Sequence, residues 1–505
     1  LARYLAGPNV RRDCPTPTVR ADAFRIEAPR RQRRADGTVT PFSIPGHKQR
    51  TDLVGDLVRG DVPLFAGLDT MKRTGHVLER AEARAAGAWG ADWCRFSVGG
   101  STHANQAVIL ALGQPGRSVV VSRTLHRSVL LGIALAGLRP IWVHPEIDPT
   151  TGLPAAVPVT AVAAALAANP DACGVLIGDP SYVGTRSDIS TIADVAHAAG
   201  VPLIVDAAWA AHFGFSPLVP PHAIALGADA LVTSAHKMLP AWSQAALLLA
   251  NTTRSGGLLD ADRLQRGFEA TNTTSPAGAI LASTDATRAL IERDGAELIG
   301  ALVGLVAEAR AALQQIDGVE VLTARDATHV DGPPDVDPTK LVLLLAGTGA
   351  HGHVVELDLI EHGIALEMAD RDVIVPIVTI ADDATTVARL IAALDRAIER
   401  HRRVPRRVAP SAAWSVRAEA TMEPREAFFA AHETVPAEDA VGRVCAELIA
   451  PYPPGVPVLA PGEIVTVAAL GALSATLADG GRIAYATDPT LSTIQVVASS
   501  RARRA

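Results

Sequence analysis

From about residue 78 the chain alternates short apolar runs with longer segments of helical period. Helical composition covers residues 78–91, 104–112, 127–136, 159–168 and 189–199, and apolar runs cover 94–98, 118–121, 140–143, 174–178 and 202–205. Short apolar runs bounded by turn residues suit strands buried on both faces. Their regular alternation with helices predicts a mostly parallel α/β sheet, whose ligands bind beyond the carboxyl ends of the strands.

A long amphipathic helix is expected over about 287–316, and a β-α-β-α pattern follows at 341–345, 354–362, 373–380 and 387–400, which predicts a smaller α/β domain. The stretch HRRVPRRVAP at 401–410 is a charged, Pro-rich break. Residues 1–40 are Arg- and Pro-rich and predict an extended arm that packs on a partner subunit. The expected organisation is an arm at 1–40, a large domain at 41–290, a small α/β domain at 291–402 and a C-terminal α+β module at 403–505.

Polar residues collect just after the apolar runs. They include His126, the group Asp179-Pro-Ser181-Tyr182, Asp206, and Ser234-Ala-His236-Lys237. Ahead of them, Gly99-Gly100-Ser101-Thr102 joins a strand to a helix start, where free amides, the positive end of the dipole and two hydroxyls can cradle an anion. A plain helix cap by Ser or Thr is the alternative.

Lys237 lies between two apolar strands in ALVTSAHKMLPAWSQAALLLA. Burying an ammonium without a partner costs several kcal/mol and favours the neutral amine. A neutral lysine is a nucleophile that can hold a carbonyl as a Schiff base, which is how proteins carry pyridoxal 5'-phosphate (PLP). A lysine at a strand end whose head reaches water is the ordinary alternative. Ser234, His236 and Asp206 close by in the pattern favour the cofactor.

Composition narrows the class. With 505 residues, 48% hydrophobic and 20% charged, the chain is globular and long enough for several domains. A formal charge of −7 carries no basic excess, so nucleic acid is not an expected partner. Cys14, Cys94, Cys173 and Cys445 lack metal or disulfide spacing, and no apolar run is long enough to span a bilayer. A cytoplasmic protein without a membrane segment is expected. His351-Gly-His353 is an isolated pair, and no metal site is expected.

These residues resemble the PLP-dependent fold-type I enzymes, and within them the bacterial ornithine/lysine/arginine decarboxylase family. Four blocks carry the narrower resemblance: PGHK at 45–48, TTSPAGAILASTD at 273–285, PREAFF at 424–429 and PYPPGVPVLAPGE at 451–463. The resemblance implies an aspartate aminotransferase-like large domain, PLP as cofactor, and decarboxylation of arginine, lysine or ornithine to the amine and CO2. Lys237 is then the PLP lysine, Ser234 and His236 its neighbours in an S-x-H-K motif, and Asp206 the partner of the pyridine nitrogen, with Ala208 against the ring face. His126 resembles the stacking histidine and Ser101 and Thr102 the phosphate-binding pair. Thr274 and Ser275 resemble residues that reach the site from a neighbouring subunit, which implies at least a homodimer with its active site at the interface.

The chain departs from the family at two places. Many members have Asp-Glu-Ala-His at the pyridine aspartate, whereas this chain has Asp206-Ala207-Ala208-Trp209. The larger members also begin with a receiver-like wing domain that builds rings, whereas a short arm is expected here, so a decamer is not implied. Trp209 and Glu447 are candidates for the far end of the substrate pocket, where a cationic side chain needs a carboxylate. An aminotransferase or lyase of the same fold, and a catalytically altered PLP-binding relative, remain the other readings.

Overall fold

Seven strands form the central sheet of the computed structural model: β1 (Trp93–Ser97), β2 (Ser118–Ser122), β3 (Arg139–Val143), β4 (Val175–Gly178), β5 (Leu203–Asp206), β6 (Ala230–Ser234) and β7 (Ala246–Ala250). Their order is β1-β7-β6-β5-β4-β2-β3. The structure describes residues 45–48, 50–55, 61, 76–323, 335–408, 411, 414, 416–452 and 455–499. The expected arm at 1–40 lies outside them, as do residues 41–44, 409–410 and 453–454.

Strands β3, β2, β4, β5 and β6 pair in parallel, while β7 pairs antiparallel with both β6 and β1. The reversal follows from chain length. Only the residues between Ser234 and Ala246 separate β6 from β7, too few for a crossover helix, so the chain returns as a hairpin whose connection carries Lys237. Leu203, Val205, Leu231 and Leu249 are at most 1% exposed. Each such side chain contributes roughly 1.5–3 kcal/mol by leaving water.

The second sheet has the order Met368–Ala369, Val373–Val375, Leu343–Leu344, Glu320–Val321, with every pair antiparallel. The turn at Asp370-Arg371-Asp372 again leaves no room for a crossover. Helices Gly352–Glu361 and Ala384–Arg400 accompany it. The helix expected from about 287 begins earlier, at Gly278, and runs unbroken to Leu313, so residue 290 falls inside it. Its first turns read as polar loop, but the Ser283 and Thr284 hydroxyls donate to the Ile280 carbonyl at 2.9 and 2.8 Å, and Arg288 pairs with Asp285.

In the C-terminal module His432–Pro436 pairs with Thr493–Val497 and Ala450–Tyr452 with Arg482–Ala484, beside the helix Val467–Ala478. A buried two-pronged ion pair fastens it to the large domain: Arg123 Nη1 and Nη2 donate to Glu463 Oε1 and Oε2 at 2.6 and 2.9 Å. Among the described residues no helix is long and apolar enough to cross a membrane.

Candidate functional site

The carboxyl ends of the parallel strands bring together most of the polar residues picked out in the sequence. Asp206 ends β5, Ser234 ends β6, and Lys237 lies on the short helix Ala235–Met238 that follows. Ser101 and Thr102 lie in the first turn of the helix Gly100–Leu112, and His126 caps the helix Arg127–Ala136.

The anion cradle is joined to the lysine turn by two bonds. Gly100 N donates to Gln244 O at 2.9 Å, and the Ser101 and Ser234 hydroxyls share a hydrogen bond of 2.6 Å. Gly100 has φ 69°, a left-handed conformation that glycine adopts without strain. The first-turn amides of the helix have no partner within it and carry the positive end of the dipole.

Asp206 is held in place before any ligand arrives. Asn105 Nδ2 donates to its Oδ2 at 2.8 Å, and Ala208 N donates to its Oδ1 at 3.2 Å. Burial pushes this carboxyl up from its ordinary range, while the Lys237 ammonium and the Asn105 and Ala208 hydrogen bonds oppose the rise. Lys237 is affected in the opposite sense: burial lowers its affinity for a proton, and Asp206 and Glu367 resist. Among the described residues no carboxylate forms an ion pair with Lys237. Its Nζ stands instead 4.1 Å from the centre of the Trp209 ring.

Two histidines flank the lysine. His236 Nδ1 donates to the Ala245 carbonyl at 2.9 Å, which leaves Nε2 as the basic nitrogen of the neutral ring. His126 Nδ1 shares a 2.9 Å hydrogen bond with Ser128 Oγ, and the surrounding protein, with the Lys237 and Arg127 charges, pushes its pKa down.

Several residues of the cluster carry no clear mark in the sequence. Asn105 also faces Ser128 Oγ at 3.1 Å, so one amide links the Asp206 and His126 elements. Tyr182 donates to Glu367 Oε1 at 2.6 Å and packs edge-on against Trp209 with ring centres 5.3 Å apart. The Glu367 carboxylate is exposed, and its charge opposes the fall in proton affinity of His236 and Lys237. Neither Asn105, on a helix that also carries Ser101, Thr102, His103 and Gln106, nor Glu367 stands out by its local pattern.

Glu447 does not join this cluster. Its Oε2 accepts from Thr487 N at 2.6 Å and its Oε1 from Gln495 N at 2.7 Å, so both oxygens serve the C-terminal module. Thr274 and Ser275 are exposed on the loop before Gly278, where Ser275 N donates to Thr273 Oγ1 at 3.1 Å. Among the described residues, no group of three or more His, Cys, Asp or Glu side chains could hold a metal ion.

The donor set suits PLP. An amine free of ion pairs, a carboxylate preset by two N–H groups, and a helix N-terminus edged by two hydroxyls match an aldehyde, a pyridinium and a phosphate respectively.

A family model for the Orn/Lys/Arg decarboxylase major domain matches residues 40–386, and that for the family's C-terminal domain matches residues 409–475. An arginine decarboxylase of Halalkalibacterium halodurans is 33% identical over 473 residues, covering 92% of this chain and 95% of that protein. One of Bacillus subtilis is 31% identical over 483 residues, covering 91% and 95%. The solved structure of the constitutive lysine decarboxylase of E. coli superimposes with a TM-score of 0.74 at 21% identity, over 91% of this chain and 80% of that one, a likeness of fold. With the major-domain match spanning most of its length, the chain belongs to the Orn/Lys/Arg decarboxylase family.

Proposed function

We propose that the chain is a PLP-dependent decarboxylase of basic L-amino acids that works on arginine. The observation that carries the reading is the Lys237 amine, held without an ion pair beside a carboxylate at Asp206 that is already hydrogen-bonded by Asn105 and Ala208. The relatives at 31–33% identity are named arginine decarboxylase, which supports arginine over lysine or ornithine.

In this reading Lys237 would hold PLP, Asp206 would pair with its pyridine nitrogen, and Ala208 and His126 would lie against its ring. Ser101, Thr102, Ser234 and His236 hold the phosphate end. When bound, PLP supplies an electron sink for the pair left on Cα as the carboxylate departs. Asp206, ionised, keeps the pyridine nitrogen protonated and so strengthens that sink. Lys237 or His236 would return a proton to the substrate Cα.

Glu367 is the carboxylate we assign to the cationic end of the substrate. It belongs to the lysine cluster through Tyr182, while both Glu447 oxygens are occupied by backbone amides. Trp209, which packs on Tyr182 and stands 4.1 Å from Lys237 Nζ, is the aromatic wall we assign to the same end. Thr274 and Ser275, exposed here, complete the neighbouring active site of a homodimer.

Incubating the purified holoenzyme with arginine, lysine and ornithine tests the reading. CO2 and the matching amine are expected, fastest from arginine. Keto acid without CO2 would point to an aminotransferase and end the proposal. Light scattering across a dilution series tests the dimer, and a monomeric, fully active enzyme would exclude shared sites.

A further inference from the structure

Trp209 carries a second lysine. Lys340 is 1% exposed, and its Nζ has no hydrogen-bond partner. That nitrogen lies 3.6 Å from the centre of the Trp209 ring and 6.0 Å from that of Tyr182. Lys237 Nζ is 4.1 Å from the same indole, so the two amines are no further apart than these two lengths end to end.

The seat of Lys340 is built for it. Gly184 has φ 89°, and a Cβ there would stand 2.5 Å from Lys340 Cγ. The turn below is closed by Lys340 N donating to Asp337 O at 3.1 Å, and Thr339 N and Oγ1 donate to Asp337 Oδ1 at 2.8 and 2.7 Å. Arg310 donates to the carbonyls of Asp337 and Lys340, and His212 Nε2 meets Thr339 Oγ1 at 2.9 Å.

The charged and titratable groups around the amine are Asp337, Lys237, Glu367, Arg310, His212 and the Tyr182 phenol. Among the described residues none of the carboxylates forms an ion pair with it. A lone buried ammonium is expensive. Burial pushes the Lys340 pKa down to about 7; Asp337 opposes, the like charge of Lys237 adds to the fall, and Glu367 opposes.

We propose that Lys340 is a positioning residue for the decarboxylation, a charge gate that acts through Trp209. With its amine neutral, the indole closes over Lys237 and a cationic substrate fits beside it. With its amine protonated, a second positive charge shares the closed volume and opposes substrate binding. The inference rests on a basic amino acid being the substrate.

Steady-state decarboxylation of arginine across neutral pH provides one arm of the test. In the wild type, kcat/KM falls by about tenfold in all as pH drops through the Lys340 ionisation and then levels off, through KM and not kcat. Lys340→Met keeps the bulk and removes that acid limb. Lys340→Arg, always cationic, raises KM by about tenfold above that ionisation, where the wild-type amine is neutral, matches the wild type below it, and keeps kcat within about twofold. A Lys340→Met enzyme that retains the wild-type limb overturns the proposal.

The other arm uses apo-protein and no turnover. Tryptophan fluorescence titrated through neutral pH shows a step in the wild type that Trp209→Phe abolishes and Lys237→Met moves to higher pH, because the like charge is gone. A missing step, or one indifferent to Lys237→Met, overturns the gate. This arm reads out even if no basic amino acid is decarboxylated, so failure of the substrate assignment and failure of the gate are distinguishable.

Discussion

Asn105 donates its amide to the Asp206 carboxylate at 2.8 Å from a position 101 residues earlier in the chain. The same nitrogen faces Ser128 Oγ at 3.1 Å, and Ser128 holds His126. One side chain therefore sets the relative positions of the acid and of the imidazole proposed to flank the cofactor. Asn105→Ala leaves Asp206 in its buried seat with one hydrogen bond fewer, so its carboxyl rises further. We expect kcat to fall about ten- to a hundredfold, with the acid limb of its pH profile moved upward. Asp206→Asn, which removes the charge, should cost roughly 10²–10³ in kcat. A visible absorbance band retained in both variants would show that the loss is not one of cofactor binding.

The assignment of Glu367 to the substrate's cation separates it from Glu447. Glu367→Gln should raise KM for arginine several-fold and change kcat much less, since the Glu367 carboxylate is exposed and its attraction for a cation is screened by water. Glu447→Gln should lower the thermal unfolding midpoint, because two backbone amides lose a charged acceptor, while KM stays within about twofold. The opposite pattern in the two variants would return the role to Glu447.

Arg123 and Glu463 are 5% and 1% exposed and join the large domain to the C-terminal module. Removing one partner leaves a buried charge alone, so Glu463→Gln should destabilise the protein by about 3–5 kcal/mol. The double variant Arg123→Met/Glu463→Leu should recover much of that loss. Calorimetry of the single and double variants measures both.

Glu82 gives a pH dependence with a definite sign. It is 5% exposed, accepts from Phe96 N at 2.9 Å, and lies 3.3 Å from Arg95 Nη1. Burial nevertheless raises its pKa from 4.5 to about 7, with Arg95 and the Phe96 amide opposing. A carboxyl with a raised folded pKa binds more protons in the folded state, so its contribution is favourable at low pH and is lost as pH rises between 4.5 and about 7. The stability of Glu82→Gln relative to the wild type should therefore improve across that window and level off above it. Urea titrations at a series of pH values would reveal the trend.

The alternation of strands and helices in the large domain is legible because a buried parallel strand must be apolar on both faces. The antiparallel return of β7 and the hairpin Met368–Val375 are set by connection length, which apolar pattern alone does not express. Lys237 is legible because Ser234, His236 and Asp206 accompany it. Lys340 has the same signature, a lysine directly before the apolar run LVLLLA, yet its partner Trp209 lies 131 residues away (340 − 209) and nothing local marks the pair. Glu367 and Asn105 are hidden for the same reason: each acts through a contact spanning more than 100 residues, 185 from Tyr182 and 101 to Asp206. Glu447 is a candidate carboxylate by sequence alone, and only the fold reveals that its oxygens hold backbone amides.

The most direct test of the account is chemical. Borohydride reduction of the holoenzyme, followed by proteolysis and mass spectrometry, should fix a pyridoxyl group on Lys237 and abolish turnover of arginine, and Lys237→Ala should carry no adduct. A pyridoxyl group found on Lys340 or any other lysine, or none at all in a cofactor-loaded and active protein, would contradict it.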